Sequence, residues 1–221
     1  SSLTNGKHNV AIGSNALTSL TTGDENTAIG SYALTSNTTG FNNVASGYYA
    51  LYSNTTGTSN VALGSTALYN NTTGGINTAI GRGVLYTNTT GEDNVALGYR
   101  AGYFSVGDSN LFLGYEAGYN ETSSNKLYIS NSQSSNLLYG DFSTGQLDLG
   151  QTSGTVTTLN DFNVDGDATF DGAATVSGAT TLSDTLAVSG ATTLSDTLAV
   201  SGATTLSDTL AVSGATTLSD T

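Results

Sequence analysis

The side chains able to carry proton, nucleophile or metal chemistry are few in this chain and poorly spaced for it. His8 is its only histidine and sits at the edge of the first of several repeats, where it reads as a solvated or capping group rather than a general base. Acidic residues come as Asp24-Glu25, Glu92-Asp93 and Asp108. Their oxygens are of the kind that bind Ca²⁺, but such pairs also serve as solvated charges that keep a long particle soluble, and that second reading is preferred. No lysine-bearing glycine-rich phosphate loop, Cys/His cluster or nucleophile–histidine–acid set occurs. The expectation is a non-catalytic protein without cofactor or metal.

Binding is a better use for what the chain does have. Tyr52, Tyr69 and Tyr86 occupy equivalent places in successive repeats. Such a row could offer sugars or proteins a broad contact area with polar tips, or it could be a packing ladder between chains. Thr38-Thr39, Thr55-Thr56, Thr72-Thr73 and Thr89-Thr90 form regular threonine rows of the kind an ice-binding solenoid would use. Adjacent residues of a strand point to opposite sides, so only one row would face any plane.

The elements that position these residues follow from a repeat. Asn-Val/Thr-Ala-Ile/Leu-Gly or a close variant begins at Asn9, Asn26, Asn43, Asn60, Asn77 and Asn94, each 17 residues after the last. So short a unit cannot enclose a core and must stack on its neighbours, which predicts a parallel β-solenoid. The leading asparagines, continued at Asn110 and Asn125, then fall into a ladder of amides that donate to one neighbour and accept from the other. Gly13, Gly30, Gly47, Gly64, Gly81 and Gly98 suit a corner that needs positive φ or close backbone approach. Asn37, Asn54, Asn71 and Asn88, each opening Asn-Thr-Thr-Gly, mark an outer turn.

Two apolar sides are expected of each coil. Thr27 and Ile29 share one strand parity and Ala28 takes the other. A second short strand would place Ala33 and Leu34 on opposite faces, as would Ala16-Leu17, Ala50-Leu51 and Ala67-Leu68. One side would fill the coil and the other would meet neighbouring chains, so the reading favours an oligomer.

Composition narrows the partners. With 17 acidic and 4 basic residues the chain carries a formal charge of −13, which repels phosphate backbones and anionic membranes. No apolar run approaches the roughly 20 residues that span a bilayer, and the first residues do not read as a signal peptide, so any export signal or anchor is expected elsewhere. The chain has no cysteine, and a stacked array needs no disulfide.

A second repeat, Val-Ser-Gly-Ala-Thr-Thr-Leu-Ser-Asp-Thr-Leu-Ala, starts at Val176, Val188 and Val200 and begins again at Val212, with a period of 12. Leu182, Leu186 and Val188 share one parity, giving a core too thin for one chain, which an intertwined trimer would close. The reading is a head at 1–124, a β-rich transition that closes the roll at 125–162 and a fibrous β-shaft at 163–221 that is expected to continue.

The head units, such as Asn9-Val10-Ala11-Ile12-Gly13-Ser14-Asn15-Ala16 and Asn94-Val95-Ala96-Leu97-Gly98-Tyr99-Arg100-Ala101, resemble the head repeats of YadA-type trimeric autotransporter adhesins. The resemblance covers about Asn9 to Asn131. It implies a left-handed parallel β-roll, a homotrimer, and a head that binds a cell-surface glycan or protein receptor outside the cell. Similar repeats also decorate phage tail fibres. The chain departs from the family in its longer period and in having no neck motif of the Asp-Ala-Val-Asn type and no heptad stalk. The expected function is therefore an extracellular trimeric fibre with an adhesive or receptor-binding head. The alternatives are a passive structural subunit of a surface filament or tail fibre, and an ice-binding solenoid.

Overall fold

The structure is a computed structural model that describes residues 6–134 and 136–149. The expected shaft, and the transition beyond 149, lie outside the described residues. Seven three-residue strands follow one another: β1 (Val10–Ile12), β2 (Thr27–Ile29), β3 (Val44–Ser46), β4 (Val61–Leu63), β5 (Thr78–Ile80), β6 (Val95–Leu97) and β7 (Leu111–Leu113). They are followed by β8 (Lys126–Ser130), β9 (Asn136–Asp141) and β10 (Gln146–Leu149), and all ten lie in one sheet in chain order. Pairing is parallel and in register from β1 to β8, so like repeat positions stack: Val10 on Thr27, Ala11 on Ala28, Ile12 on Ile29 and onward. The described residues thus form an all-β parallel solenoid. The sheet turns antiparallel at β8–β9 and β9–β10.

The middle residue of each strand points inward. Ala28, Ala45, Ala62, Ala79 and Ala96 are fully buried, while Val10, Ile12, Ile29, Val44, Val95 and Leu97 on the other parity are exposed. The second strand expected over Ala33-Leu34 is not there. Residues 31–36 form a turn in which Tyr32 (φ 61°) and Leu34 (φ 50°) are left-handed. Strand parity governs only extended backbone, so Ala33 and Leu34 both face inward and both are fully buried, as are Ala50 with Leu51 and Ala67 with Leu68. That part of the case for an oligomer therefore falls, and the outer parity of the strands is what remains of it.

The core is a narrow column of these alanines and leucines running through the stack. Each turn is joined to the next by backbone bonds even where no strand is present. Leu34 N–H donates to Ala50 C=O at 3.0 Å and Thr38 N–H to Thr55 C=O at 2.9 Å. A coil this thin cannot leave its interior backbone unpaired, and the turn segments satisfy themselves through the neighbouring coils.

Candidate binding surface

Two asparagine ladders stiffen the inside of the scaffold. In the first, Asn43 Nδ2 donates to Asn26 Oδ1 at 3.1 Å and to Gly57 C=O at 2.8 Å, while Oδ1 of Asn26 also accepts the Asn43 backbone N–H. The same three bonds recur from Asn9 to Asn94. The ladder continues at Asn110, whose N–H donates to Asn94 Oδ1, but Asn125 is not in it: the N–H of Lys126 takes that place on Asn110 Oδ1. A second ladder runs through Asn37, Asn54, Asn71 and Asn88, with Nδ2 of Asn54, Asn71 and Asn88 each donating to the Oδ1 before it at 2.8–3.1 Å. These four are fully buried, so they are interior rungs and not the outer turn expected of them. The sequence signal was the recurring Asn; what concealed its role was the turn chemistry of Asn-Thr-Thr-Gly.

The ladders fix where glycine must stand. A Cβ on Gly57 would lie 2.3 Å from Asn54 Oδ1 and 2.4 Å from the carbonyl of Gly74. The corner set, Gly13 to Gly98, has φ between 130° and 141°, and a Cβ there would meet the glycine of the next coil at 2.3–2.6 Å. Both corners are places where backbone meets backbone.

Outside, Tyr52, Tyr69 and Tyr86 stack, and the stack extends to Tyr103 and Tyr119. Successive ring centroids are 5.2, 5.1, 4.9 and 5.3 Å apart with interplanar angles of 2–15°. The ring faces are therefore turned toward one another along the stack, and solvent meets mainly ring edges and hydroxyls. A sugar cannot lie flat on an inner ring of this column. Burial raises the Tyr69 and Tyr103 hydroxyl pKa values, with the neighbouring Tyr86 adding to both. A second group, Tyr32, Tyr48, Tyr49 and Tyr52, packs edge-on and face-on near the N-terminal end. There the hydrogen bond with Tyr48 is the largest of several effects that push Tyr49 up to about 12.

Both arginines of the chain meet over one ring. Arg100 Cζ is 5.1 Å from the Tyr99 centroid and 5.3 Å from that of Tyr103, and Arg82 Cζ is 5.9 Å from Tyr99. Tyr115 stacks on Tyr99 at 5.4 Å and is 51% exposed. Arg100 lies 3.8 Å from the buried carboxylate of Glu116, which also accepts a bond from Gln133 Nε2 at 2.8 Å.

Comparisons with protein-family models, curated proteins and solved structures return no match.

The threonine rows divide. Hydroxyls of Thr38, Thr55 and Thr72 donate to the threonine carbonyl one coil on, whereas Thr39, Thr56, Thr73 and Thr90 form an exposed row. Asp24 and Asp108 accept backbone N–H bonds from Lys7 and Glu92, so both acids act in stacking. His8 is exposed. Among the described residues no three His, Cys, Asp or Glu side chains converge as a metal site would require.

On the outer sheet face, an apolar groove of about 540 Å³ is lined by Leu113, Gly114, Ile129, Ser130, Asn131 and Leu137. Beyond it, Lys126 Nζ meets Asp141 Oδ2 at 2.5 Å, across a β8–β9 register pair. Tyr128 hydroxyl donates to Glu121 at 2.7 Å. Burial, and then this bond, push the tyrosine up. Burial opposes ionisation of Glu121, but bonds from Tyr128 and Ser123 outweigh it and hold the carboxyl below its usual range.

Proposed function

We propose that this chain is part of an extracellular, non-catalytic homotrimeric fibre whose solenoid head binds a glycan or protein receptor on a cell surface. The observation that carries the reading is the outer sheet face. Val10, Ile12, Ile29, Val44, Val95 and Leu97 stand exposed on it, and the apolar groove at Leu113, Ile129 and Leu137 continues it. A coil whose interior is already filled by alanine, leucine and asparagine has no place for these groups within its own chain. Contiguous exposed apolar surface of this kind marks an association site, and three copies around an axis bury it by closed symmetry. The resemblance to adhesin head repeats supports the same assembly.

Sedimentation equilibrium of the full chain tests it. A three-chain mass is expected, and Leu63→Glu together with Ile80→Glu should dissociate it while circular dichroism stays β-rich. A monomer of the unsubstituted chain overturns the trimer. Binding of the trimer to intact cells is the second arm. Trimers that instead join end to end and ignore cells would move the reading to a structural filament.

A further inference from the structure

We propose that Arg82 and Arg100 of one chain pair with Glu92, Asp93 and Asp108 of a second copy, forming a charged seam that fixes the register of three chains. This rests on the trimer proposed above and names the contact that aligns it. From Asn26 to Gly81 the chain has no Asp, Glu, Lys, Arg or His. Charge then returns in one band of coils, divided between the two ends of the strands. Glu92 and Asp93 lie just before β6 and Asp108 just before β7, while Arg82 follows β5 and Arg100 follows β6.

The two ends do not satisfy each other within one chain. Arg82, Glu92, Asp93 and Asp108 are all exposed, and none of them makes an ion pair among the described residues. The three residues of β6 alone set the ends about 10 Å apart, well beyond a salt bridge. Asp108 Oδ1 accepts the Glu92 N–H at 2.9 Å, which leaves its second oxygen for a cation.

Symmetry brings the ends together. When the outer sheet faces of three chains turn toward an axis parallel to the stack, every strand runs the same way around it. The C-terminal strand ends of one chain then meet the N-terminal strand ends of the next, at equal height, in a closed head-to-tail ring. Arg82 Cζ lies 5.9 Å from the ring of Tyr99, the residue one repeat further on, so its guanidinium leans from the level of β5 to that of β6, where Glu92 and Asp93 stand. Arg100 leans the same way, coming within 3.8 Å of Glu116 on the coil of β7, the coil that Asp108 opens. Glu116 neutralises part of Arg100, which makes Arg82 the stronger half of the seam.

The aliphatic face cannot set this register by itself. Val44, Val61 and Val95 repeat coil after coil, so sliding one chain by a coil, about 4.8 Å, restores nearly the same apolar contacts. A slide in either direction leaves one arginine opposite uncharged residues, Gly75-Ile76 for Arg82 or Ser124 for Arg100. Complementary charge across an interface fixes register more than it adds affinity.

Because the chain has no cysteine, thiol cross-linking reads the seam directly. The full chain carrying both Arg82→Cys and Asp93→Cys is treated with a short bis-maleimide, and its mass is taken under denaturing conditions. A covalent three-chain species is expected from the double variant and no linked chains from either single variant, because like positions do not meet in a head-to-tail ring. In sedimentation, Arg82→Glu should raise the dissociation constant of the trimer at least tenfold, and adding Asp93→Arg should recover most of that loss. Half-molar salt should narrow the difference. Circular dichroism should match the parent throughout, since these side chains lie outside the core. Linked dimers from a single variant, or a charge reversal that leaves dissociation unchanged, overturn the seam. A three-chain mass for the unsubstituted chain with no linking in the double variant overturns the seam and leaves the trimer standing, whereas a one-chain mass overturns both. A linked trimer that ignores cells leaves the seam standing and removes the adhesive reading.

Discussion

The coils from Asn26 to Asn94 and those from Asn94 to Lys126 solve one packing problem in two ways. In the first region each coil has 17 residues and an interior of two small aliphatic residues, one leucine and two asparagines, as in Ala28, Ala33, Leu34, Asn26 and Asn37, with Val84 standing in the place of Ala33 in the last of these coils. In the second the spacing drops to 16: Asn94 to Asn110, then Asn110 to Lys126. The lost residue comes from the turn, where Asn88-Thr89-Thr90-Gly91 gives way to Ser105-Val106-Gly107. The core changes with it. Phe112 takes the inward strand position held by alanine, and Gly102 and Gly118 take the positions held by leucine. A Cβ on Gly118 would lie 2.2 Å from the Phe112 ring and one on Gly102 2.6 Å from it. One ring on the strand thus stands where two leucines stood on the turn, while the coil loses a residue. The difference teaches that a stacked repeat can shift a large side chain between strand and turn where the neighbouring coil leaves room for it.

The largest expected effect comes from breaking that exchange. Phe112→Ala leaves a hole that Gly102 and Gly118 cannot fill, and should cost about 3–5 kcal/mol. Adding Gly102→Leu should recover much of the loss, because Leu85 holds the same left-handed backbone one coil earlier (φ 48° against 59°). Denaturant melts of the two single variants and the double variant measure the coupling. If the losses simply add, the two sites are not exchanging volume and the comparison fails.

The asparagine ladders give the next effect. The turn deletion ends the second ladder, and Asn88 Oδ1 is left buried without a partner among the described residues. Asn71, one rung earlier, has its Oδ1 occupied by Asn88 Nδ2. Asn71→Ala should therefore cost about 1–3 kcal/mol by stripping partners from both neighbours, with Asn88→Ala costing less. Equal losses in thermal melts would mean that rung pairing does not set stability here.

How much of this was legible in the residues differs between the same two regions. The 17-residue period disclosed the solenoid, the stacking of like positions and the first asparagine row, because a repeat reports its own register. It did not disclose that Ala33 and Leu34 share a face. That required knowing that Leu34, a residue with no bias toward positive φ, would adopt it. Nor did it disclose the second ladder, since Asn-Thr-Thr-Gly satisfies turn rules as well as interior ones. The exchange of leucine for phenylalanine could have been found by aligning Asn94–Gly107 with Asn77–Gly91 and noting Gly102 beside Phe112. The cluster of Arg82 and Arg100 on Tyr99 was hidden by the 17 residues between the two arginines.

On the outside, the tyrosine column crosses both regions without interruption, so its removal should not distinguish them. Tyr69→Ala and Tyr103→Ala should each lose about 1 kcal/mol of stacking beyond the area uncovered. Spectrophotometric titration of the unsubstituted chain should show some tyrosines ionising above the usual value of about 10, which burial raises for both of these residues. A loss confined to Tyr103→Ala would show that the column is held differently where the coil shortens.

The smallest effect sharpens the comparison by pH. The ladders and core of the 17-residue coils contain no ionisable side chain, whereas the β8–β9 pair is joined by Lys126 and Asp141, both side chains about 15% exposed. The Lys126 hydrogen bond, helped by Ser143, holds the Asp141 carboxyl at about 2. A carboxyl depressed by folding adds stability that is present above its unfolded value, about 3.9, and is lost as pH falls toward the folded one. Lys126, raised by the Asp141 bond, adds stability that is present below its unfolded value, about 10.4, and is lost as pH rises through the folded one. Amide protection in Lys126–Asp141 should accordingly decline between about pH 4 and pH 2, and Asp141→Asn should flatten that decline. Protection at Asn43, Asn60 and Asn77 should stay level across the same range. A parallel fall at those rungs would mean that the acid-sensitive end and the uncharged coils open as one unit, and that the shortened coils do not separate them.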